Sequence, residues 1–461
     1  MGIHEGLTMF ETAKMLQKLL TDAGFKTLAA GGFVRDHLLG RDPKDIDLAT
    51  EALPEQVRDV LTANKIRVED TGLQHGTVSA IVDKVPYEIT TLRVDKKCHG
   101  RAAEVEFVKS FEEDAQRRDF TINAMFMDLE TGEIVDYVHG QEDLKKETLR
   151  FVGYAEDRIK EDYLRILRLF RFGSQLGFKI EPEAAREAIK YLPYMISYIS
   201  TERIYTEMSK LIVGKGVFHI LNTYRDLVFH VFPELYVTNG FPQRNPYHKW
   251  DVYTHTIHGV DHLKQYNDSM LSFAHLFHDV AKPFCHSVSY KDLNQVDHFY
   301  DHEYHGSKVA QRICHRLKFP SEDSKKIVFI IANHMRLRES LSKKAVRKLL
   351  QNCAEAGHKD WVWYLFKQRE ADISGQVKDP SDLSLIRSQI KDGFEDFTKT
   401  KIESPLSGVD IMRLYAVKMG PNIGKIKTYL TELVLEGDLD PNDREETLSF
   451  TEKYISENNL S

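Results

Sequence analysis

Two acidic residues set the first chemical question. Asp45 and Asp47 stand in Asp-Ile-Asp, shortly after the pair Gly31-Gly32. Residues i and i+2 of a strand project to one face. Two carboxylates so placed suit a pair of Mg²⁺ ions roughly 3.5–4 Å apart, the spacing of in-line phosphoryl displacement. Glu88, in a later stretch, is a candidate third carboxylate. Glycines without Cβ let backbone N–H groups approach a triphosphate, and a helix N-terminus favours anions. Arg35 and Asp36 follow one turn in. Taken singly, Asp-x-Asp is usually a solvated turn, and Gly-Gly usually a plain one.

Asp162 and Arg165 raise a second question. Three apart at the opening of an expected helix, they would share a face. A carboxylate only accepts hydrogen bonds and a guanidinium only donates. Cytosine and adenine both offer an amino donor beside a ring acceptor, so one such pair reads both. Guanine and uracil present a carbonyl where the amino group should be. Hydrogen bonds to charged groups contribute about 1.5–3 kcal/mol each. The bland alternative is a surface ion pair of about 0.2–0.5 kcal/mol.

The middle of the chain carries His255, His278-Asp279, His302, His334 and Asp372. Imidazole and carboxylate together suit Mn²⁺, Ni²⁺, Fe²⁺ or Zn²⁺. The segment is histidine-rich, so bystanders are expected: His258, His262, His275 and His305.

These residues need elements to hold them. Residues 7–23 read as an amphipathic helix, 26–30 as a strand, 33–39 as a helix and 46–50 as extended. Residues 78–82, 87–93 and 104–108 read as strands. Helical periodicity dominates after Arg150, with 174–182 read as a loop and 239–246 as a linker. The expected class is α+β: a mixed-sheet head over 1–150, a helical neck over 151–240, a histidine-bearing domain over 241–375 and a helical tail over 376–461.

The 461 residues allow two to four domains. Apolar residues make up 42% and charged residues 29%, which admits ordinary packed cores. The net charge of −7 does not announce a nucleic-acid binder. Local clustering decides phosphate contact, and basic residues gather at Arg165, Arg168 and Arg171, then at Lys343, Lys344, Arg347 and Lys348. Each cluster taken alone also reads as a solvated helix face. Cys98, Cys285, Cys314 and Cys353 show no pairing pattern, which favours a reducing compartment. No apolar run reaches membrane-spanning length, and residues 1–11 lack the pattern of a secretory signal. A cytoplasmic location is expected, and monomer or dimer stays open.

The run Gly31-Gly32-Phe33-Val34-Arg35-Asp36, followed by Asp45-Ile46-Asp47-Leu48-Ala49-Thr50, resembles the signature of polymerase-β-like nucleotidyltransferases. Its spacing and its Arg-Asp pair are similar to the class II tRNA nucleotidyltransferase and bacterial poly(A) polymerase family. Arg117 to Ala124 resembles the family's ribose-binding motif, which implies that Arg118, Asp119 and Asn123 contact sugar and phosphate. Asp136 to Gly140, with Asp143 and Arg150, resembles the hinge between head and neck. Glu161 to Phe172, which includes Asp162, Arg165 and Arg168, resembles the amino-acid template that selects the base, with Leu164, Ile166, Leu167 and Phe170 as core. Residues 200–204 fit a supporting neck motif. In that family a loop at residues 94–103 separates enzymes that finish C-C-A from those that stop at C-C, and Asp95 and Arg101 would be its moving residues.

The order His…His-Asp…His…His…Asp resembles an HD-domain metal-dependent phosphohydrolase. The resemblance implies addition of C-C-A to tRNA from CTP and ATP with Mg²⁺, and a phosphatase or phosphodiesterase at the HD site. Neighbouring alternatives are a C-C-adding enzyme and a poly(A) polymerase. An alternative of another class is a tRNA-repair phosphohydrolase whose head only binds RNA.

Overall fold

A computed structural model describes residues 7–72, 76–96, 104–244, 248–291, 294–337, 341–376, 383–399, 404–436 and 438–460. The chain divides into two compact units, Met1–Pro233 and Glu234–Ser461.

The first unit begins with the helix Met9–Asp22, closed at its start by a reciprocal Thr8–Glu11 capping box. Its strands are β1 Thr27–Ala30, β2 Asp47–Thr50, β3 Arg67–Gly72, β4 Thr77–Val82, β5 Val85–Thr91, β6 Arg93–Lys96, β7 Glu104–Phe107, β8 Phe126–Met127 and β9 Ile134–Val135. Among the described residues, seven of them form one mixed sheet in the order β3-β4-β5-β2-β1-β8-β9. Only the β2–β5 pair is parallel; its sheet neighbours run antiparallel. Leu28, Ala30, Ala49, Leu92, Phe111, Phe126 and Val152 form a core cluster there. β6 and β7 pair separately as an antiparallel ribbon. Arg101 and the side chain of Asp95, expected to move, lie outside the described residues.

The neck is helical: Ala155–Glu161, Leu164–Leu176, Pro182–Lys190, Leu192–Tyr198 and Thr201–Leu211. The loop expected at 174–182 is not one. The helix runs on through Leu176, and Lys179–Ile180 forms a short strand parallel to Thr148–Leu149. Ser174, which suggests a turn, is fully buried and donates its hydroxyl proton to the Leu211 carbonyl at 2.6 Å.

The second unit packs the helices Val252–Leu263, Ser269–Phe277, His302–Arg316, Ser321–Asn333 and Trp361–Ser374. A hairpin, His286–Lys291 with Asn294–Phe299, was not expected from periodicity. Residues 239–244, expected as a linker, are tied into this unit. Gly240 N–H donates to Asp251, Val252 N–H donates to the Phe241 carbonyl, and the Phe241 ring meets His286 edge-on. The tail helices Gly408–Tyr415, Pro421–Glu436 and Arg444–Asn458 share a core that includes Ile411, Ile426 and Leu430. No described helix is long and apolar enough to cross a membrane.

Candidate active site and metal centre

β2 and β5 run parallel, with Leu48 opposite Ile89. One step back along both strands sets Asp47 beside Glu88. Both are exposed, while the flanking Leu48 and Ile89 are buried. Asp45 differs from expectation, because it lies before the strand rather than in it. The reason is the neighbour: β1 ends with Ala30 opposite Asp47, and the chain turns away at Gly31, which leaves Asp45 nothing to pair with. The three carboxylates nevertheless sense one another. The Asp47 pKa is raised to about 6, first by desolvation, then by the charges of Asp45 and Glu88, against a lowering by Arg118. They stand further apart than a closed metal cage. Among the described residues, donor atoms gather within 4.8 Å of one another only at the histidine centre.

Gly31 takes φ +71° at the start of the helix Gly32–Leu38, and its N–H donates to the Met125 carbonyl. A Cβ there would meet the Arg118 guanidinium at 3.2 Å, so both the backbone and the space call for glycine. Arg35, expected to handle triphosphate, is buried and donates to Asp36 at 2.9 and 2.8 Å and to Asn123 at 2.7 Å. In this arrangement it pins the helix to the ribose-motif segment. Arg118 and Arg117 both pair with Asp114.

Asp119 joins head to neck. Arg168 donates to it at 2.8 and 2.5 Å, and Phe120 N–H donates at 2.8 Å. Burial pushes the Asp119 pKa up, but Arg168's charge and hydrogen bonds overrule it and leave the pKa below the usual carboxylate range. Asp162 and Arg165 do not share a helix face as expected. The helix ends at Glu161, Asp162 is extended at φ −150°, and the next helix starts at Leu164. Asp162 accepts from Leu164 N–H at 2.9 Å and faces Arg203 at 3.6 Å. Arg165 donates to Glu161 and to the carbonyls of Arg158 and Arg117. Glu161 and Arg158 were therefore missed as supports of this pair, their signal being the dense charge run before Leu164, whereas Arg203 lies in the supporting neck motif read at residues 200–204. The arginines expected as a phosphate patch are all engaged: Arg165 with Glu161, Arg168 with Asp119, and Arg171 with Glu207 at 2.8 Å.

In the second unit His255, His278, Asp279, His302, His334 and Asp372 come together. Each imidazole turns Nδ1 to a backbone carbonyl: His255 to Gly375 at 3.1 Å, His278 to His275 at 2.6 Å, His302 to Phe299 at 2.7 Å and His334 to Ile331 at 2.7 Å. A carbonyl can only accept, so Nδ1 carries the proton and Nε2 presents its lone pair. The Nε2 atoms face inward: His255 lies 3.0 Å from Asp372, His278 3.1 Å from Asp279, and His302 3.4 Å from Asp279. His302 and His334 set Nε2 against Nε2 at 3.2 Å. Two lone pairs at that distance repel unless a cation stands with them. Asp279 Oδ1 is buried without a hydrogen-bond partner. The donor set therefore fits a metal ion. Burial disfavours charge on His278, yet Asp279 and Asp372 push its pKa to about 9, while burial and its cationic neighbours pull His334 to about 3.

Lys282, unforeseen, is buried and donates to Asp279 at 2.7 Å and to Gln243 at 2.8 Å. Its signal was a lysine three residues beyond His-Asp in an apolar run. Of the expected bystanders, His258 stacks on Trp250 at 4.0 Å, while His275 is fully buried and stacked on His278 at 4.3 Å. A Cβ on Gly259 would come within 1.9 Å of His275 Nε2.

The fold is a polymerase-β-like nucleotidyltransferase head followed by a helical body. Residues 27–150 match the family model of the poly A polymerase head domain. Residues 177–237 match the model described as a probable RNA and SrmB-binding site of polymerase A. The human protein named CCA tRNA nucleotidyltransferase 1, mitochondrial, is 44% identical over 221 residues, 47% of this chain and 50% of its own length. The CCA-adding enzyme of Streptococcus uberis is 44% identical over 207 residues, 44% of this chain and 50% of its own. The chain spans about half the length of the curated relatives it matches. The fold is similar to that of the Bacillus stearothermophilus CCA-adding enzyme solved with CTP, with a TM-score of 0.74 and 24% identity over 99% of this chain and 100% of that one. A Thermotoga maritima CCA-adding enzyme complexed with tRNA matches at TM-score 0.57 and 20% identity, over 96% of this chain and 95% of that one.

Proposed function

We propose that this protein adds C, C and A in turn to the 3′ end of tRNA, using CTP and ATP. The observation that carries the proposal is the meeting of Asp47 with Glu88 and Asp45, where desolvation first and then the neighbouring charges raise Asp47 to about 6. In the reaction the RNA 3′-oxygen bonds to the α-phosphorus, the α–β bridge breaks, and pyrophosphate leaves. Mg²⁺ ions held by Asp45 and Asp47, with Glu88 beside them, would acidify the hydroxyl and neutralise the leaving group. Gly31 and Gly32 give a triphosphate close access to backbone, and Arg118 adds positive charge. Arg118, Asp119 and Asn123 border the sugar, with Arg168 holding Asp119 in place. Asp162 accepts the amino group of cytosine or adenine, and Arg165 donates to the ring acceptor from a pose fixed by Glu161 and two carbonyls. The names of the human and streptococcal relatives support the same reading.

A tRNA transcript without its 3′ end, offered CTP, ATP or both, tests this. Complete C-C-A from both nucleotides is expected. Stopping at C-C, or an A tract from ATP alone, would replace the proposal with the neighbouring alternatives. No incorporation, with RNA still bound, would leave a head that only binds RNA.

A second activity is favoured by the inward-facing Nε2 set of the other unit. We propose that His255, His278, Asp279, His302, His334 and Asp372 hold Mn²⁺, Ni²⁺, Fe²⁺ or Zn²⁺ in an HD-type phosphohydrolase that trims damaged tRNA ends. The metal would polarise a phosphoryl oxygen when bound. Hydrolysis of a 2′,3′-cyclic nucleotide that is lost in His278→Ala, with C-C-A addition intact, is the expected result. A cytoplasmic location belongs to the same proposal. It rests on cysteines Cys285, Cys314 and Cys353 being free thiols, although the human relative is named as mitochondrial.

A further inference from the structure

Tyr163 follows Asp162 directly, and its ring lies nearly parallel to those of Tyr194, at 5.8 Å and 15°, and Tyr198, at 5.4 Å and 24°. Tyr191 closes the group against Tyr194 at 5.6 Å. Tyr191 is buried, whereas Tyr194 and Tyr198 keep 49% and 62% of their surface exposed. These rings come from two elements, the junction at Asp162 and the helix Leu192–Tyr198, so helix periodicity alone does not explain their meeting. Core packing does not explain it either, since the outer rings face water. Cations border the group. Lys160 and Lys190, both paired to Glu156, lie over the Tyr191 ring at 5.7 and 5.0 Å. Arg203 stands at Asp162.

We propose that Tyr163, Tyr194 and Tyr198 form a stacking platform for an unpaired nucleobase of the RNA 3′ end. Every base has a π face, so aromatic rings hold single-stranded RNA without regard to sequence. The platform continues from the carboxylate that reads the incoming base, and cations at its edge suit the phosphates that accompany a base. The inference rests on the proposed nucleotide addition and extends it. Asp162 and Arg165 read the edge of the incoming base, while the tyrosines grip a base already in the RNA and are indifferent to its identity. They act as positioning residues.

The test uses the full chain and a tRNA transcript lacking its 3′ end, with 2-aminopurine as the last unpaired nucleotide. Stacking quenches this base, and no CTP or ATP is present, so the measurement stands apart from catalysis. Quenching by the wild type is expected, with its loss in Tyr198→Ala and Tyr194→Ala and its retention in Tyr198→Phe. In the incorporation assay the alanine changes should raise the KM for RNA about tenfold and leave the KM for CTP unchanged. Unaltered thermal unfolding of these exposed-site variants shows that they fold. Alanine variants that quench and bind RNA like the wild type overturn the platform. A Tyr198→Phe variant as weak as the alanine change overturns stacking in favour of the hydroxyl, and lost self-association with intact RNA binding overturns it in favour of a protein contact. Failure of the wild type to incorporate nucleotides, with quenching intact, counts against the proposed transferase and not against the platform.

Discussion

The head carboxylates and the histidine centre, proposed here as two cation sites, are built in different ways. Asp47 starts β2 beside Glu88 on β5, in the middle of the sheet, with Asp45 just before it; the three carboxylates are exposed and not gathered into a cage. At the histidine centre they are buried, each imidazole is fixed in one tautomer by a carbonyl, and Oδ1 of Asp279 lacks a hydrogen-bond partner. The difference teaches what each site requires. Mg²⁺ dehydrates reluctantly and is commonly held by one or two carboxylates plus substrate phosphates, so an open pair suits an ion that arrives with a nucleotide. A buried, tautomer-locked imidazole set suits an ion that stays.

The largest effect should come from Asp47→Ala. Nucleotide incorporation should fall on the order of a thousandfold, about 4 kcal/mol of lost charge stabilisation, with metal content of the purified protein unchanged. Equal loss of metal would erase the contrast between the sites. Next, His278→Ala should weaken metal retention by more than the roughly 10–100-fold that loss of an outer partner costs. Elemental analysis after gel filtration reads this, and incorporation should persist. Arg171→Met probes the frame. It strands Glu207, buried with it at the neck, and should destabilise the protein by about 3–5 kcal/mol in denaturant titration.

The smallest effect concerns pH. Asp119 has a folded-state pKa below its ordinary value. Its contribution is therefore complete above the unfolded pKa of about 3.9 and is lost as the pH falls through the folded value. Asp119→Asn should flatten the acid limb of the stability profile below about pH 4. An unchanged limb would mean that Arg168 does not clamp head to neck.

Much of this was legible in the residues, because ligand chemistry restricts types and order. The strand positions of Asp47 and Glu88 follow from local pattern, while the gathering of His255, His278, Asp279, His302, His334 and Asp372 was expected from ligand chemistry and from the resemblance of their order to a metal-dependent phosphohydrolase. What the pattern hid were partners distant in the chain. Asp162 and Arg165 looked like a helical pair, but a carboxylate that can accept its own chain's N–H favours a helix break. Arg168 looked like a phosphate ligand until Asp119 met it from 49 residues away. Arg35 was drawn off by Asn123 in the same way, 88 residues on. The hairpin at 286–299 escaped because its strands carry polar residues on both faces.

Gly259 and His275 are bound to a shared fate. The hydrogen on the glycine's α-carbon occupies the space that any larger residue would take from the imidazole at its back. In related chains the two positions should therefore change together. A lineage that acquires a side chain at 259 must first trade its histidine at 275 for something smaller, and with it the ring that backs His278.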